Sequence, residues 1–237
     1  MQTVDIICLA NSRKHSGRCI AGLRADGKGW LRPVVETGDG ALFPQHFALA
    51  DGTVPQPLDL LRISVERARP NVYHPEDWIL ADTPWKLLKR PIGPPGMDWL
   101  GAKLARGPLL FGTFADHIPL ERIKEKPLAQ SLALIAPTQV RWLIQTGQRG
   151  NRKTRAKFLL DGWRYELSVS DPAWEQRLAL LPLGEHPMES AGVEADQRLL
   201  FTVSLTEPFE GSCYKLVAAV IVPPTPSAGG GADAGGG

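Results

Sequence analysis

Proline and glycine divide the chain into short apolar runs, and this spacing limits what it can fold into. The 237 residues include 24 glycines and 21 prolines, spread through the body of the chain as well as its tail. A proline inside a helix removes a hydrogen bond, and a glycine there costs about 1 kcal/mol relative to alanine. Long helices are therefore disfavoured, and strand-length segments joined by turns are favoured.

Apolar runs of strand length recur between these breaks. They cover residues 4–9, 19–23, 30–35, 60–65, 131–136, 140–145, 157–160, 163–169, 199–205 and 214–222. The dipeptide Asp161-Gly162 predicts a two-residue hairpin, because glycine adopts positive φ without steric cost. Residues 26–29 predict a second, slightly longer hairpin. Many short strands separated by turn residues are typical of a β-barrel or a β-sandwich.

A few short helices and two domains complete the predicted architecture. Helices are expected at residues 84–89, 119–125 and 173–181, the last after Asp171-Pro172, an N-cap followed by proline at the first helical position. Residues 90–97 hold three prolines and two glycines and predict a surface loop. We expect a first domain with an irregular insertion at residues 1–125, a second at 126–222, and a disordered tail rich in proline and glycine at 223–237.

Composition restricts the classes of function. A net charge of +2 is close to neutral, so any affinity for nucleic acid must come from local clusters of cations. Cys8, Cys19 and Cys213 form no Cys-x-x-Cys pair, which argues against a zinc ribbon and for reduced thiols buried in a core. The chain begins with no signal-like segment and has no apolar run of about 20 residues. We therefore expect a cytoplasmic protein without membrane contact.

The first basic segment, residues 9–22, concentrates polar chemistry between two apolar runs. Its polar side chains are those of Asn11, Ser12, Arg13, Lys14, His15, Ser16 and Arg18, and Trp30 and Arg32 follow shortly after it. Buried charges need partners, whereas arginine guanidinium groups suit phosphate. We predict a basic turn that binds an anion, with Trp30 and Arg32 beside it. The alternative is a solvated hairpin loop whose charges bind nothing.

The second basic segment, residues 148–157, carries five cations and no acid. They include Arg149, Arg152, Lys153 and Arg155, between two predicted strands. Basic loops of this kind contact phosphates with little sequence specificity. Trp163 in the next strand is a candidate for stacking on bases if it is exposed, and a core residue if it is not. A solvated loop is again the alternative.

Support for catalysis or a cofactor is weak. His74, Glu76 and Asp77 are close in sequence, but Pro75 interrupts a helix there and no second histidine stands at metal-binding spacing. No nucleophile elbow and no glycine-rich phosphate loop occur. We predict no metal, no cofactor and no catalytic residue, although Cys19 near His15 leaves an enzymatic alternative open.

Three stretches resemble the dual OB-containing domain proteins of prokaryotes. They are CLANSRKHSGRCIAG at residues 8–22 with GWLRPV at 29–34, YELSVSDP at 165–172, and EPFEGSCYKLVAAVI at 207–221. The resemblance spans residues 1 to about 222. It implies two OB-type barrels, a nucleic-acid-binding role beside bacterial defence or genome-conflict enzymes, and no enzymatic activity. Under it, residues 214–221 would be the strand that closes the second barrel.

The leading hypothesis is a non-catalytic protein, mostly β, with two small OB-like barrels that bind DNA or RNA, with a preference for single strands. The expected binding residues are Asn11, Ser12, Arg13, Lys14, Arg18, Trp30, Arg32, Arg149, Arg152, Lys153, Arg155 and Trp163. Two alternatives remain. One is an interaction module that docks onto a partner protein, which co-purification without nucleic acid would indicate. The other is an enzyme acting on nucleotides or nucleic acid, which needs His15, Cys19 and a carboxylate within hydrogen-bond reach.

Overall fold

The computed structural model describes residues 1–147 and 150–224, and it is mostly β-structure with a few short helices, which confirms the predicted class. The strands are Gln2–Lys14 (β1), Gly17–Arg24 (β2), Trp30–Val34 (β3), Leu60–Ala68 (β4), Asp77–Leu80 (β5), Lys86–Lys89 (β6), His117–Pro119 (β7), Leu132–Ile135 (β8), Thr138–Thr146 (β9), Arg152–Leu160 (β10), Trp163–Val169 (β11), Gly184–Pro187 (β12), Leu200–Leu205 (β13) and Ser212–Ile221 (β14). The helices are Pro44–Phe47 (α1), Pro94–Gly101 (α2), Leu120–Glu125 (α3) and Pro172–Leu178 (α4), with a 3-10 turn at Met188–Ala191.

The first sheet closes into a five-stranded barrel. Its strands follow the order β1-β2-β3-β5-β4, and β4 pairs back onto β1. The β3–β5 pair is parallel and the other pairs are antiparallel, while β6 extends the sheet from β4. Alternate residues point inward, and the interior is filled by side chains that include Val4, Ile6, Cys8, Ile20, Leu31, Leu61, Ile63 and Val65.

The second sheet repeats the same order with its first strand divided. Strands β9-β10-β11-β14-β13 are followed by β8, and β11–β14 is the parallel pair. Only Ala136 and Pro137 separate β8 from β9, so the two act as one interrupted strand that pairs with β13 through β8 and with β10 through β9. Proline has no N–H to continue a ladder, which accounts for the break.

The outer face of the first barrel packs against the second sheet. Side chains that point out of β1 and β2, among them Ile7, Leu9 and Leu23, are buried in one apolar cluster with α2 and with the second sheet. The residues contributed by the second sheet include Leu132, Leu134, Leu200, Ala218, Ala219 and Ile221. Every residue of β3 is buried, because both faces of that strand are covered.

Most local predictions are confirmed and two are wrong. The hairpins lie where the turn residues placed them, with Asp161 and Gly162 both at positive φ. Helices α3 and α4 form, and the Asp171 carboxylate caps α4 by accepting hydrogen bonds from the backbone N–H groups of Ala173 and Trp174. Residues 84–89 do not form a helix; β6 occupies the last four of them. Residues 90–97 are not all loop, because α2 begins there with proline in its first turn, where no N–H is needed.

Two of the predicted boundaries are not decided by the fold. Helix α3 ends at Glu125 and β8 begins at Leu132, so a domain boundary between residues 125 and 126 stays a prediction. Of the predicted tail, residues 225–237 lie outside the described part of the chain. No helix in residues 1–147 and 150–224 is long and apolar enough to cross a membrane.

A buried polar cluster joins the barrel to the start of the second sheet. The Arg32 guanidinium on β3 donates to Asp77 Oδ1 at 2.8 Å, to Ser131 Oγ at 2.7 Å and to Glu76 Oε1. The Ser131 hydroxyl also donates to Glu76, and the backbone N–H of Ser131 donates to Glu76 Oε2 at 3.1 Å. Burial raises the pKa of Asp77 to about 6. The cluster satisfies one cation and two carboxyl groups away from water.

His74 makes a second polar link beside this cluster. Its Nε2 lies 3.0 Å from the carbonyl oxygen of Leu205 in β13, and its ring is buried. Burial, and then the positive charge of Arg32, lower the pKa of His74 to about 2. The imidazole is therefore neutral in the folded protein at every pH at which the protein would ordinarily be handled.

Glu76→Gln should destabilise the fold strongly. The change leaves Arg32 buried with one of its two carboxylate partners gone, and such a loss costs roughly 3–5 kcal/mol of unfolding free energy. Urea denaturation measures it, with Glu66→Gln on the exposed side of β4 as the control. A loss below about 1 kcal/mol, similar to the control, would contradict the role given to the cluster.

His74→Gln should lower the free energy of unfolding, and this loss should be smaller at acid pH. Between pH 6.5 and 2 the unfolded chain binds a proton on His74 that the folded chain does not, so this group costs wild type about 1.4 kcal/mol of stability for each unit below pH 6.5. The opposite contribution of Asp77, whose raised pKa favours the folded state as pH falls through about 6, is common to both proteins. We expect the difference in unfolding free energy between wild type and His74→Gln to narrow by roughly 2 kcal/mol from pH 7 to pH 5. If the unfolding free energies of the two proteins, measured as a function of pH, gave parallel curves, the lowered pKa of His74 would be refuted.

Candidate nucleic-acid interface

The first basic segment is mostly strand, and its cations meet carboxylates. Strand β1 runs to Lys14 and β2 starts at Gly17, so only His15 and Ser16 form the turn. The Arg13 guanidinium pairs with Glu175 of α4 at 2.7 Å. Lys14 donates to Glu207 at 2.9 Å and to the carbonyl oxygen of Asp39. These ion pairs attach the β1–β2 hairpin to the second sheet, which reduces the charge available for a ligand.

The remaining polar groups of this segment take up separate positions. Ser12 is buried and its hydroxyl donates to the carbonyl oxygen of Cys19 at 3.3 Å. Asn11 Nδ2 donates to the carbonyl oxygen of Pro55 at 2.8 Å. Arg18 lines a groove between the two sheets, together with Asn11. The sequence predicted one anion-binding turn here, and the structure distributes its residues over a structural contact and a groove.

The prediction that Trp30 and Arg32 belong to a binding surface is wrong. The Trp30 side chain is buried in the apolar cluster between the barrel and the second sheet. The Arg32 side chain is 3% exposed and is occupied by Glu76 and Asp77. Both lie on β3, the strand covered on both faces, so neither can contact a ligand at the surface.

The residues of the second basic segment also separate. Arg152 donates from Nη2 to the carbonyl oxygens of Leu178 and Leu181, where it satisfies the C-terminal end of α4. Arg149 lies outside the described residues. Lys153 and Arg155 stand on the outward side of β10, since Ala156 and Phe158 of the other parity are in the core.

Three neighbouring strands bring five cations to that outward side. We call this surface the basic face, and it consists of Arg141, Lys153, Arg155, Lys157 and Arg164 on β9, β10 and β11. The register places Lys157 opposite both Arg141 and Glu166, and Arg155 opposite Ser168. Arg141, Lys157 and Arg164 were not among the site residues predicted from the sequence. Their signal is the alternation of charged and apolar residues along each strand.

Two carboxylates partly balance the basic face. Glu185 on β12 accepts from Lys157 at 2.6 Å and from Arg141 at 2.5 Å, and these two hydrogen bonds lower its pKa. Glu166 accepts from Arg155 Nε at 2.7 Å, and Arg155 also donates to Ser168 Oγ at 3.1 Å. In the described part of the chain, Lys153 and Arg164 have no ion pair. The face therefore holds oriented cations and a net positive charge.

Trp163 lies at the end of the β10–β11 hairpin, on the opposite side of the sheet from the basic face. It is 45% exposed, and its ring centroid is 3.9 Å from that of Phe114, which is also exposed. The core aromatic pair lies deeper in the same hairpin, where Tyr165 stacks on Phe158 at 5.6 Å. Trp163 belongs to the inward parity of β11 but lies at the first residue of that strand, beyond the packed interior, with Arg164 next to it.

The residues considered for catalysis are not assembled into a site. His15 is exposed in the turn beside Asp39, with Nε2 at 3.5 Å from Oδ2, while Cys19 is half-buried in β2. Their side chains share no hydrogen bond among those of the described residues. His74, Glu76 and Asp77 are buried in the contact with Arg32 and Leu205. Residues 1–147 and 150–224 contain no cluster of three ligands suited to a metal ion.

The comparisons with known proteins concern the chain as a whole. No curated protein matches it. One similar solved structure is the crystal structure of the tetrameric p202 HIN2, 8% identical, with an alignment that covers 94% of this chain and 92% of that chain at a TM-score of 0.30. That overlap is too low to support an argument about fold or function.

The family assignment rests on a match to almost the whole described chain. A family model described as a dual OB-containing domain matches residues 4–220. The match includes both sheets. Without the added strands β6, β7, β8 and β12, five strands of each sheet, numbered in chain order, lie in the order 1-2-3-5-4. They are β1-β2-β3-β5-β4 in the first sheet and β9-β10-β11-β14-β13 in the second. The chain therefore belongs to the dual OB-containing domain family.

Proposed function

We propose that this chain binds single-stranded DNA or RNA across the basic face of its second sheet. The observation that carries the proposal is the contrast between two equivalent surfaces. OB folds bind oligonucleotides on the face of strands 2 and 3 and on the adjoining loops. In the first barrel that face is apolar and buried, whereas in the second sheet it faces solvent and carries four cations, with a fifth, Arg141, on the neighbouring β9.

The charge on this face suits a phosphate backbone. The whole chain carries only +2, but the basic face sets five cations against two carboxylates. Cations that neutralise phosphates release counterions, so binding weakens steeply with salt. Glu166 and Ser168 hold Arg155 in place, which lowers the entropy that its side chain would lose on binding.

Trp163 adds a means of contacting bases. Its exposed ring, supported by Phe114, lies at the first residue of β11 on the inward side, so a strand that follows the basic face reaches it by turning around this end of the hairpin. Bases of a single strand can stack on such a ring, whereas bases of a duplex are already stacked on one another. This pairing of aromatic ring and cations favours single strands over duplex.

The biological setting is proposed on the family resemblance. We place the protein as an accessory component of a prokaryotic defence or conflict system, in which nucleic-acid binding would bring a partner to its target. Co-purification of a partner protein that survives nuclease treatment would instead favour an interaction module.

The triple variant Lys153→Ala, Lys157→Ala, Arg164→Ala should weaken binding and flatten its salt dependence. For single strands the slope of log affinity against log salt is about −0.7 per neutralised phosphate, so loss of three contacts should reduce its magnitude by about two. Fluorescence anisotropy of labelled DNA and RNA oligonucleotides, single-stranded and duplex, measures both quantities.

The matched control removes three cations elsewhere, by Lys28→Ala, Arg62→Ala and Lys124→Ala, at exposed positions outside the second sheet. It should retain the affinity and slope of wild type. No binding of any oligonucleotide by wild type at low salt, or equal losses in the two triple variants, would refute the proposal.

Trp163→Ala should weaken single-strand binding without changing the salt slope. Stacking of one base contributes about 1–3 kcal/mol, so affinity should fall roughly 5- to 150-fold. The same anisotropy titrations measure it, with Leu180→Ala at a fully solvated apolar position as the control. A changed salt slope would show that Trp163 acts through the neighbouring cations and not by stacking.

A further inference from the structure

A groove between the two sheets has the composition of a ligand site that the basic face does not use. It is about 450 Å³ in volume, in the range of sites for small organic molecules. One side is formed by β1, β2 and the segment before β4, and the other by α4 and the end of β14. The groove therefore exists only when the barrel and the second sheet are together.

The charge in this groove is positive. Arg18 on β2 and Arg177 on α4 both line it, and neither guanidinium has a carboxylate partner in the described part of the chain. The Asp171 carboxylate also lines it, but its oxygens accept hydrogen bonds from the backbone N–H groups of Ala173, Trp174 and Val220. Two arginines on opposite walls can hold one phosphate group between them.

Much of the lining of the groove is apolar. Pro55 and Pro57 stand on one side with Val54 and Leu58, and Val220, Ile221 and Val222 stand on the other. Arg177 lies over the ring of Trp174, 4.9 Å from its centroid, which fixes the guanidinium at the rim. Walls of this kind accept a flat, largely apolar ring.

One buried acceptor in this groove lacks a donor. Asn11 lines it, and its amide is fixed because Nδ2 donates to the carbonyl oxygen of Pro55 at 2.8 Å. Its Oδ1 is buried and has no hydrogen-bond partner among the described residues. A buried acceptor without a donor is costly, and a ligand N–H or O–H group would satisfy it.

We infer that this groove binds a nucleoside monophosphate. The phosphate lies between Arg18 and Arg177, the base lies against the proline and valine walls, and a base or ribose donor bonds to Asn11 Oδ1. The same chemistry is present in a free mononucleotide and in the 5′-phosphorylated end of an oligonucleotide. The site is separate from the basic face, so it stands whether or not the proposed function does.

The test is isothermal titration of the full chain with AMP, CMP, inorganic phosphate and a 5′-phosphorylated dinucleotide. Wild type should bind at least one nucleotide at least tenfold more tightly than inorganic phosphate. Arg18→Ala and Arg177→Ala should each weaken that binding roughly tenfold or more. Arg177 is exposed at the surface of α4, so its replacement leaves the packing of the helix in place.

Arg13→Ala is the matched control, because Arg13 is directly opposite Arg18 in the hairpin register but pairs with Glu175 and does not line the groove. It should bind nucleotide as wild type does. The basic-face triple variant should also retain nucleotide binding, which separates this site from the proposed function.

Tighter binding of the phosphorylated dinucleotide than of AMP or CMP identifies a strand end as the source of the ligand. Tighter binding of a mononucleotide identifies the free nucleotide. No binding by wild type, equal binding of phosphate and nucleotides, or unchanged affinity in both Arg18→Ala and Arg177→Ala would overturn the inference.

Discussion

The apolar contact between the outer face of β1–β3 and the second sheet determines what the rest of the molecule can do. Leu9 and Leu23 on one side, and Leu134 and Ile221 on the other, are buried in a single cluster. Because side chains alternate along a strand, the face that a lone OB barrel would offer to a ligand is here an apolar surface that must be covered. The second sheet covers it, and of these two equivalent faces, within the described residues, the one on the second sheet stays open to solvent.

The polar links at this contact fix its geometry. Arg32, Glu76 and Ser131 exchange hydrogen bonds where the two sheets meet, and Thr202 Oγ1 donates to the carbonyl oxygen of Leu9 at 2.6 Å. Apolar burial alone allows a sheet to slide, whereas a satisfied buried polar group allows one arrangement. Charged residues at the rim, such as Arg13 with Glu175, extend the same contact to the surface. Several of the most conspicuous cations in the sequence are therefore structural.

The strands and hairpins were predictable from the sequence because they depend on local rules. Asp161-Gly162 and Asp171-Pro172 each act within a few residues, and the structure has the turn and the helix start that they predict. Which side chains are exposed to solvent could not be predicted from such local rules. Trp30 and Arg32 read as a surface pair, yet their strand is covered by residues about 100 to 190 positions later in the chain.

The candidate site was predicted only in part for the same reason, because contacts between distant segments decide which cations share a face. Lys153 and Arg155 were identified from a run of cations, but Arg141 and Arg164 join them only through the register of β9, β10 and β11. Arg152, in the same run, faces the end of α4 because its parity points inward. A charge count along a segment does not separate these roles. The alternation of each strand does, once the strand order is known.

The most direct test is photo-crosslinking of a single-stranded oligonucleotide that carries a photoreactive base, followed by peptide mapping. It shows whether the strand contacts the open face of the second sheet and not the equivalent, buried face of the first barrel. With an oligonucleotide that has no 5′-phosphate, crosslinks should map to β10 and β11, around Trp163 and Arg164, and be absent from the residues of β1, β2 and β3 that are buried against the second sheet, such as Leu9, Leu23 and Trp30. Crosslinks concentrated on β2 and β3 of the first barrel would contradict the account, since that face would then have to open to the ligand.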